Sequence, residues 1–214
     1  MQARIRSIGG NNLVKEGGKM PENKVRCPFV TGNPPPLYLH YHDQEWGVPV
    51  HDDDRLFELL TLEGAQAGLS WLTVLKRRQA YQEHFDQFQV ESIADYDAPR
   101  IAALLTEPSL IRNRRKIESV VSNAQAFLKV AQTFGSFNAF LWQFVDGRPL
   151  INHWRKARDI PAQTALSQRI SRELYARSFT FVGPTIVYAY LQATGVVMDH
   201  IVDCFRYREL GGKD

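Results

Sequence analysis

"ALSQRISRELYARSFTFVGPTIVYAYLQATG", residues 165–195, decides the architecture: it reads as helix, tight turn, helix, with Gly195 as the stop. The turn is Val182-Gly183-Pro184, with Pro184 at the first helical position, where its missing N–H costs nothing. Gly183 lets another backbone come close. The free amides that open the second helix, with the Thr185 hydroxyl, can receive a phosphate. An ordinary corner between two helices has the same pattern. The paired helices span about 166–195.

Outward from this hairpin the chain stays helical. HDDD at 51–54 offers an N-cap and first-turn acids, and Leu56, Leu59, Leu60, Glu63 and Ala67 follow at helical spacing. Gly68 ends that helix, and Ser70 can cap the next, read over 70–85. Further helices are expected near VESI (90–93), from Asp97–Pro99 to the Glu107-Pro108 break, and over 109–131 as one long amphipathic helix. A short apolar helix follows at 136–145, then a polar connection at 153–163. A last helix is expected in VVMDHIVDCF. Seven or eight short helices with few strand signals give an all-α fold.

With 214 residues, one domain with two lobes around a core fits the length. Hydrophobic residues make up 44% and charged residues 23%, which excludes a disordered chain. A net charge of +3 and a pI of about 8.9 permit nucleic-acid binding without requiring it. No apolar run approaches the ~20 residues of a membrane span, and the N-terminus has no apolar signal region. The expectation is a soluble, cytoplasmic protein with no membrane partner. Residues 1–24 are pattern-poor and read as a disordered tail.

Three constellations could carry chemistry. Cys27 and Cys204 are the two cysteines; His42 follows the first, and His200 precedes the second by four residues in the expected helix. Together they fit a tetrahedral Cys₂His₂ zinc site, structural because no position is left for water. Buried cysteines beside solvated histidines fit the spacing too. Glu63 stands on the apolar stripe where leucine is expected, which is costly without a partner unless it lies at the stripe's wet edge. Glu58, about a turn and a half away, is expected to matter little. The rings of Tyr38, Tyr41 and Trp46 in LYLHYHDQEWG (37–47), with Trp71, could be core or could line a slot for a flat ligand such as a purine. RNRRK (112–116) reads as a solvated basic face.

LYLHYHDQEWGVP (37–49), LFELLTLEGAQAGLSWLTVLKRR (56–78), LIRNRRKIESVVSNA (110–124), SFTFVGPTIVYAYLQATG (178–195) and DHIVDC (199–204) resemble the 3-methyladenine DNA glycosylase I family. The resemblance runs over about 26–208. It implies a helix-hairpin-helix DNA glycosylase-like fold of two helical lobes, with one zinc joining the N- and C-terminal segments through Cys27, His42, His200 and Cys204. It further implies one glycosylase domain over 25–208, a flexible 209–214 tail and a monomer. The implied activity is base excision repair: 3-methyladenine is flipped out of alkylated double-stranded DNA and released by hydrolysis. Glu63 falls on the family's base-reading carboxylate, and Tyr38, Tyr41, Trp46 and Trp71 on its pocket rings. FTFVGPT, with Gly183 and Thr185, becomes the DNA grip, and Gly68-Leu69 the wedge. Cys27-Pro28-Phe29 departs from the family's Cys-Gly-Trp, so a pocket tryptophan is expected to be lost. Asp199 and Asp203 lie near the region of the superfamily's catalytic aspartate. Two rivals stand beside this reading: a non-catalytic DNA-binding module and a zinc-stapled small-molecule binder.

Overall fold

The computed structural model describes residues 24–213, so the expected N-terminal tail, apart from Lys24, lies outside the described residues. Eleven α-helices occur among those residues: α1 (Pro36–His40), α2 (Asp53–Gln66), α3 (Trp71–Leu75), α4 (Arg78–His84), α5 (Val90–Ala94), α6 (Ala98–Thr106), α7 (Arg114–Phe134), α8 (Phe137–Trp142), α9 (Ala165–Ala176), α10 (Pro184–Ala193) and α11 (Phe205–Glu209). None is long and apolar enough to cross a membrane.

Capping chemistry sets several helix starts. Asp52 accepts from Arg55 N–H at α2, Ser70 from Thr73 N–H at α3, Asp97 from Arg100 N–H at α6 and Asn113 from Lys116 N–H at α7. Asn113 thus starts the long helix later than the expected 109. The helix expected over 70–85 is broken after Leu75. The turn at Lys76-Arg77 sets Arg78 where its guanidinium meets Glu45 and Glu58, and these ion pairs override helix continuity.

α2 is the central helix, buried on all sides from Leu56 to Ala65 and packed against α3, α7, α8 and α10. The main core gathers Leu56, Phe57, Phe127, Phe137, Phe140 and Tyr190 around it. A smaller apolar cluster holds Cys27, Tyr41, Trp46, Leu75, Ile201 and Cys204, with Trp71 touching both. α9 and α10 pack as the expected pair of helices.

The expected helix in VVMDHIVDCF is replaced by a short strand. β2 (Val197–Met198) pairs in parallel with β1 (Leu150–Ile151). Bonds from Leu150 N–H to Val196 O (2.9 Å) and from Asn152 N–H to Met198 O (3.1 Å) take the backbone groups a helix would have used. Gly195 makes the entry possible. Its φ is +68°, and a Cβ there would meet the Val48 carbonyl carbon at 2.4 Å. In the expected C-terminal tail, Gly212 N–H bonds Tyr207 O at 2.9 Å, and the Tyr207 hydroxyl donates to Lys213 O at 2.9 Å.

Candidate functional site

The ring-rich stretch is helical. α1 runs into a wide turn of π-helix, Tyr41–Glu45, closed by Trp46 N–H to Tyr41 O at 2.9 Å. Such turns are frequent at functional sites because the extra residue re-aims side chains. Here Tyr38 and Tyr41 line one hollow while His42 turns into another cluster.

That cluster is Cys27, His42, His200 and Cys204, all buried, with their donor atoms within 4.8 Å of one another. It could hold a metal ion. His200 and Cys204 converge without the expected helix: they flank a turn, and Cys204 is the N-cap of α11. The ring nitrogens are sorted by their outer partners. His42 Nδ1 lies 2.7 Å from Asp43 Oδ1, so its N–H donates there and Nε2 faces Cys204 Sγ at 3.5 Å. His200 Nε2 lies 2.9 Å from Trp46 O, which leaves Nδ1 facing Cys204 Sγ at 3.4 Å and Cys27 Sγ at 3.5 Å. Asp43 is itself held by Arg26 through bonds of 2.7–3.0 Å. Interaction with Cys204, then burial, pushes the Cys27 thiol up, and the same interaction, helped by both histidines, pulls Cys204 down. A metal bound here would take both sulfurs as thiolates, so its arrival would release the Cys27 proton.

Beside this cluster lies a slot of about 190 Å³ lined by Phe29, Tyr38, Tyr41, Trp46, Glu63, Gln66, Trp71, Ala189 and Gln192. Rings form most of its wall, with Tyr41 and Trp71 centroids 5.3 Å apart and Phe29 edge-on to Trp46 at 4.9 Å. The departure at Phe29 therefore leaves an aromatic ring in the slot. Glu63 is 4% exposed, and no described residue gives its carboxylate a hydrogen bond or an ion pair. Burial pushes its pKa up to about 8. Trp71 Nε1 is buried without a partner among the described residues. A carboxyl in the hollow without a partner among the described residues is a group whose bonding a ligand can complete.

A second hollow of about 230 Å³ shares Glu63, Gln66 and Ala189 and continues past Ala67, Gly68 and Leu69 to Thr185 and Ile186. Leu69 is 41% exposed at its rim. The two hollows thus run from the ring slot to the start of α10. Gly183 lines neither; it is the N-cap of α10. The sequence reading missed Gln66, Ala189 and Gln192. Gln66 stands one turn after Glu63 on α2, and Ala189 and Gln192 are three apart on α10, so helical spacing carried the signal.

Two carboxylates have other duties. Glu58 is 4% exposed, not silent: it accepts from Arg78 Nε at 2.8 Å and Gln82 Nε2 at 2.9 Å and pairs with Arg55. Asp199, 1% exposed, accepts from Asn152, Trp154, Tyr188 and Gln192. Four donors leave it no free lone pair directed at a substrate. Asp203 is exposed and lines neither hollow.

Fold and site together define a helical protein with a ring-walled slot next to a buried Cys/His cluster. The chain belongs to the methyladenine glycosylase family, whose model matches residues 31–207. It is 44% identical over 180 residues to the DNA-3-methyladenine glycosylase of Haemophilus influenzae, covering 84% of this chain and 96% of that protein. It is 42% identical over 182 residues to DNA-3-methyladenine glycosylase 1 of Escherichia coli, covering 85% and 96%. A crystal structure of a 3-methyladenine DNA glycosylase I matches with a TM-score of 0.81 at 46% identity, over 85% of this chain and 98% of that one. The Staphylococcus aureus enzyme, whose structure addresses 3-methyladenine recognition, matches with a TM-score of 0.81 at 40% identity, over 84% and 95%.

Proposed function

We propose that this chain is a DNA repair N-glycosylase that flips 3-methyladenine out of alkylated duplex DNA and hydrolyses its glycosidic bond. The observation that carries this is Glu63, an unpaired buried carboxylate in a slot walled by rings. Methylation at N3 makes the adenine of the nucleotide cationic, so its bond to C1′ is already weak and the leaving base needs no proton. The protein's task is to extract the base, recognise it and admit water to C1′. The rings of Tyr38, Tyr41, Trp46 and Trp71 attract a cationic purine through their faces. The entering cation favours ionised Glu63, whose proton passes to solvent, and the carboxylate accepts from the exocyclic amino group. Guanine, with a carbonyl at that edge, offers no such donor. The Glu63 charge then stabilises the positive transition state.

The same reading gives the Cys27, His42, His200 and Cys204 cluster a structural zinc. A tetrahedral zinc with ordinary Zn–S and Zn–N bonds sets sulfur and nitrogen ligands about 3.5 Å apart, and three of the four S···N separations here are 3.4–3.5 Å, with all donors within 4.8 Å of one another. Bound zinc would supply a crosslink between the N- and C-terminal segments, with Asp43 and the Trp46 carbonyl orienting the two imidazoles. α9 and α10 act as a helix-hairpin-helix grip on one DNA strand, with amides at the start of α10 and Thr185 taking a phosphate. Leu69, exposed at the rim, fills the gap left in the stack. The acting unit is a monomer, and 25–208 form its single domain. The deciding experiment incubates the protein with methylated duplex DNA and identifies the free bases released. Release of 3-methyladenine is expected; binding without any release would favour a non-catalytic module.

A further inference from the structure

Asp199 fixes more than the local fold. Its Oδ1 accepts from Asn152 Nδ2 (2.7 Å) and Trp154 Nε1 (2.8 Å), and its Oδ2 from the Tyr188 hydroxyl and Gln192 Nε2 (2.7 Å). A carboxylate only accepts, so the end of the Gln192 amide that faces it must be the NH₂. The amide carbonyl is then the other end. Gln192 lines the ring slot with Glu63, and its Oε1 has no hydrogen-bond partner among the described residues and is not sealed from solvent. The buried network thus removes the usual freedom of an amide to flip and show either face to a ligand.

We infer that Gln192, locked by Asp199, is a second hydrogen-bond acceptor for the base and shares with Glu63 the two N–H groups of the exocyclic amine. This rests on the base-excision reading and adds a specificity residue to it. The chemistry favours the amine because it carries the only N–H groups on a 3-methylated adenine. Two acceptors in a slot of about 190 Å³ are satisfied together by a primary amine, whose two hydrogens point apart. With Glu63 ionised, a base with a carbonyl at that edge meets two lone-pair carriers and leaves both unpaired, which disfavours it. A locked amide also costs less to bind than a free one, because its orientation is set before the base arrives.

The test uses the full chain and duplex DNA methylated to contain both 3-methyladenine and 3-methylguanine. Gln192→Leu keeps the volume and removes the acceptor. It is expected to release 3-methyladenine at least tenfold more slowly, with the preference over 3-methylguanine narrowed. A second arm leaves the protein intact: free 3-methyladenine is compared with its N6-methyl derivative, which has one N–H fewer, by calorimetry. Wild-type protein should lose at least fivefold in affinity for the derivative, and Gln192→Leu should lose markedly less. If Gln192→Leu does not fold, the wild-type comparison alone decides, and equal affinity for the two bases overturns the inference. Unchanged release and unchanged preference in a folded Gln192→Leu overturn it too. Wild-type protein that releases no methylated base at all sinks the base-excision reading instead.

Discussion

Lys116 Nζ donates to Ala67 O at 2.6 Å and to Ala65 O at 2.8 Å, so a buried lysine closes the C-terminal end of the helix that carries Glu63. Those carbonyls belong to the last turn of α2, where the backbone ladder runs out of donors and a cation meets the negative end of the helix dipole. Burial lowers the lysine's pKa, and the two carbonyls are its compensation. The next residues are Gly68 and the exposed Leu69. Lys116→Met keeps the length and apolar stem but leaves both carbonyls without their donor. It is expected to cost about 1–3 kcal/mol of stability and to speed amide exchange from Gly64 to Ser70 more than elsewhere. Unaltered exchange there would show that Lys116 is not what holds this turn.

If the Cys27, His42, His200 and Cys204 cluster holds zinc as proposed, its variants should show a graded response. Cys204→Ala removes a donor and should abolish stoichiometric zinc, together with much of the thermal stability. Asp43→Asn removes no donor but weakens the hydrogen bond that orients His42. Outer partners of this kind typically carry 10–100-fold in metal affinity, so competition with a chelator should show a loss in that range while the fold persists. Full zinc affinity in Asp43→Asn would mean that packing alone sets the His42 ring.

How much of this was legible beforehand depends on the distance over which each feature is decided. The helix starts capped by Asp52, Ser70 and Asp97 follow from residues within one turn, and they read correctly, whereas α1 and the break after Leu75 did not. The 195–204 segment did not, because β2 exists through pairing with β1, some 47 residues earlier. Glu63 could be singled out because it interrupts an apolar stripe. Glu58 could not, since its burial depends on Arg78 and Gln82, which arrive from α4 only after the chain breaks at Lys76-Arg77. RNRRK looked like a uniform basic face, yet its last residue, Lys116, is buried. For the same reason Glu58→Gln should cost about 1–3 kcal/mol, as expected when one partner of a buried charged network is neutralised.

Gly183 tests the proposed DNA grip separately from folding. Its φ is −59°, and a Cβ there would meet nothing closer than the Tyr175 hydroxyl at 3.8 Å. Gly183→Ala should therefore fold and melt like the wild type. If a DNA phosphate comes up against this turn, the added methyl is in its way, and affinity for undamaged duplex should fall about tenfold, or ~1.4 kcal/mol. Binding by the wild type should itself weaken steeply between low and physiological salt. A Gly183→Ala protein that binds duplex as well as the wild type would place the phosphate contact elsewhere.

With Glu63 as the proposed base-reading carboxylate, catalysis and stability should respond to pH in opposite directions. Its folded pKa, about 8, stands above the 4.5 of an unperturbed glutamate because burial disfavours the charge. Between those values the folded chain holds a proton that the unfolded chain has lost, so stability falls as pH rises from 4.5 to 8, in total by a few kcal/mol. Glu63→Gln removes that penalty. It should match the wild type near pH 5 and exceed it in melting temperature at pH 8–9. Activity runs the other way, because the carboxylate is the form that accepts from the cationic base. For wild-type protein, kcat/KM for 3-methyladenine release should climb about tenfold per pH unit below 8 and level off above it, since this parameter reports the free enzyme. The glutamine variant should be at least tenfold slower at pH 8, a charge-assisted bond being worth roughly 1.5–3 kcal/mol, and its profile should be flat. A wild-type profile that is flat from pH 6 to 8.5 would mean that Glu63 meets the base already ionised, with a donor in the slot that holds its charge before the base arrives.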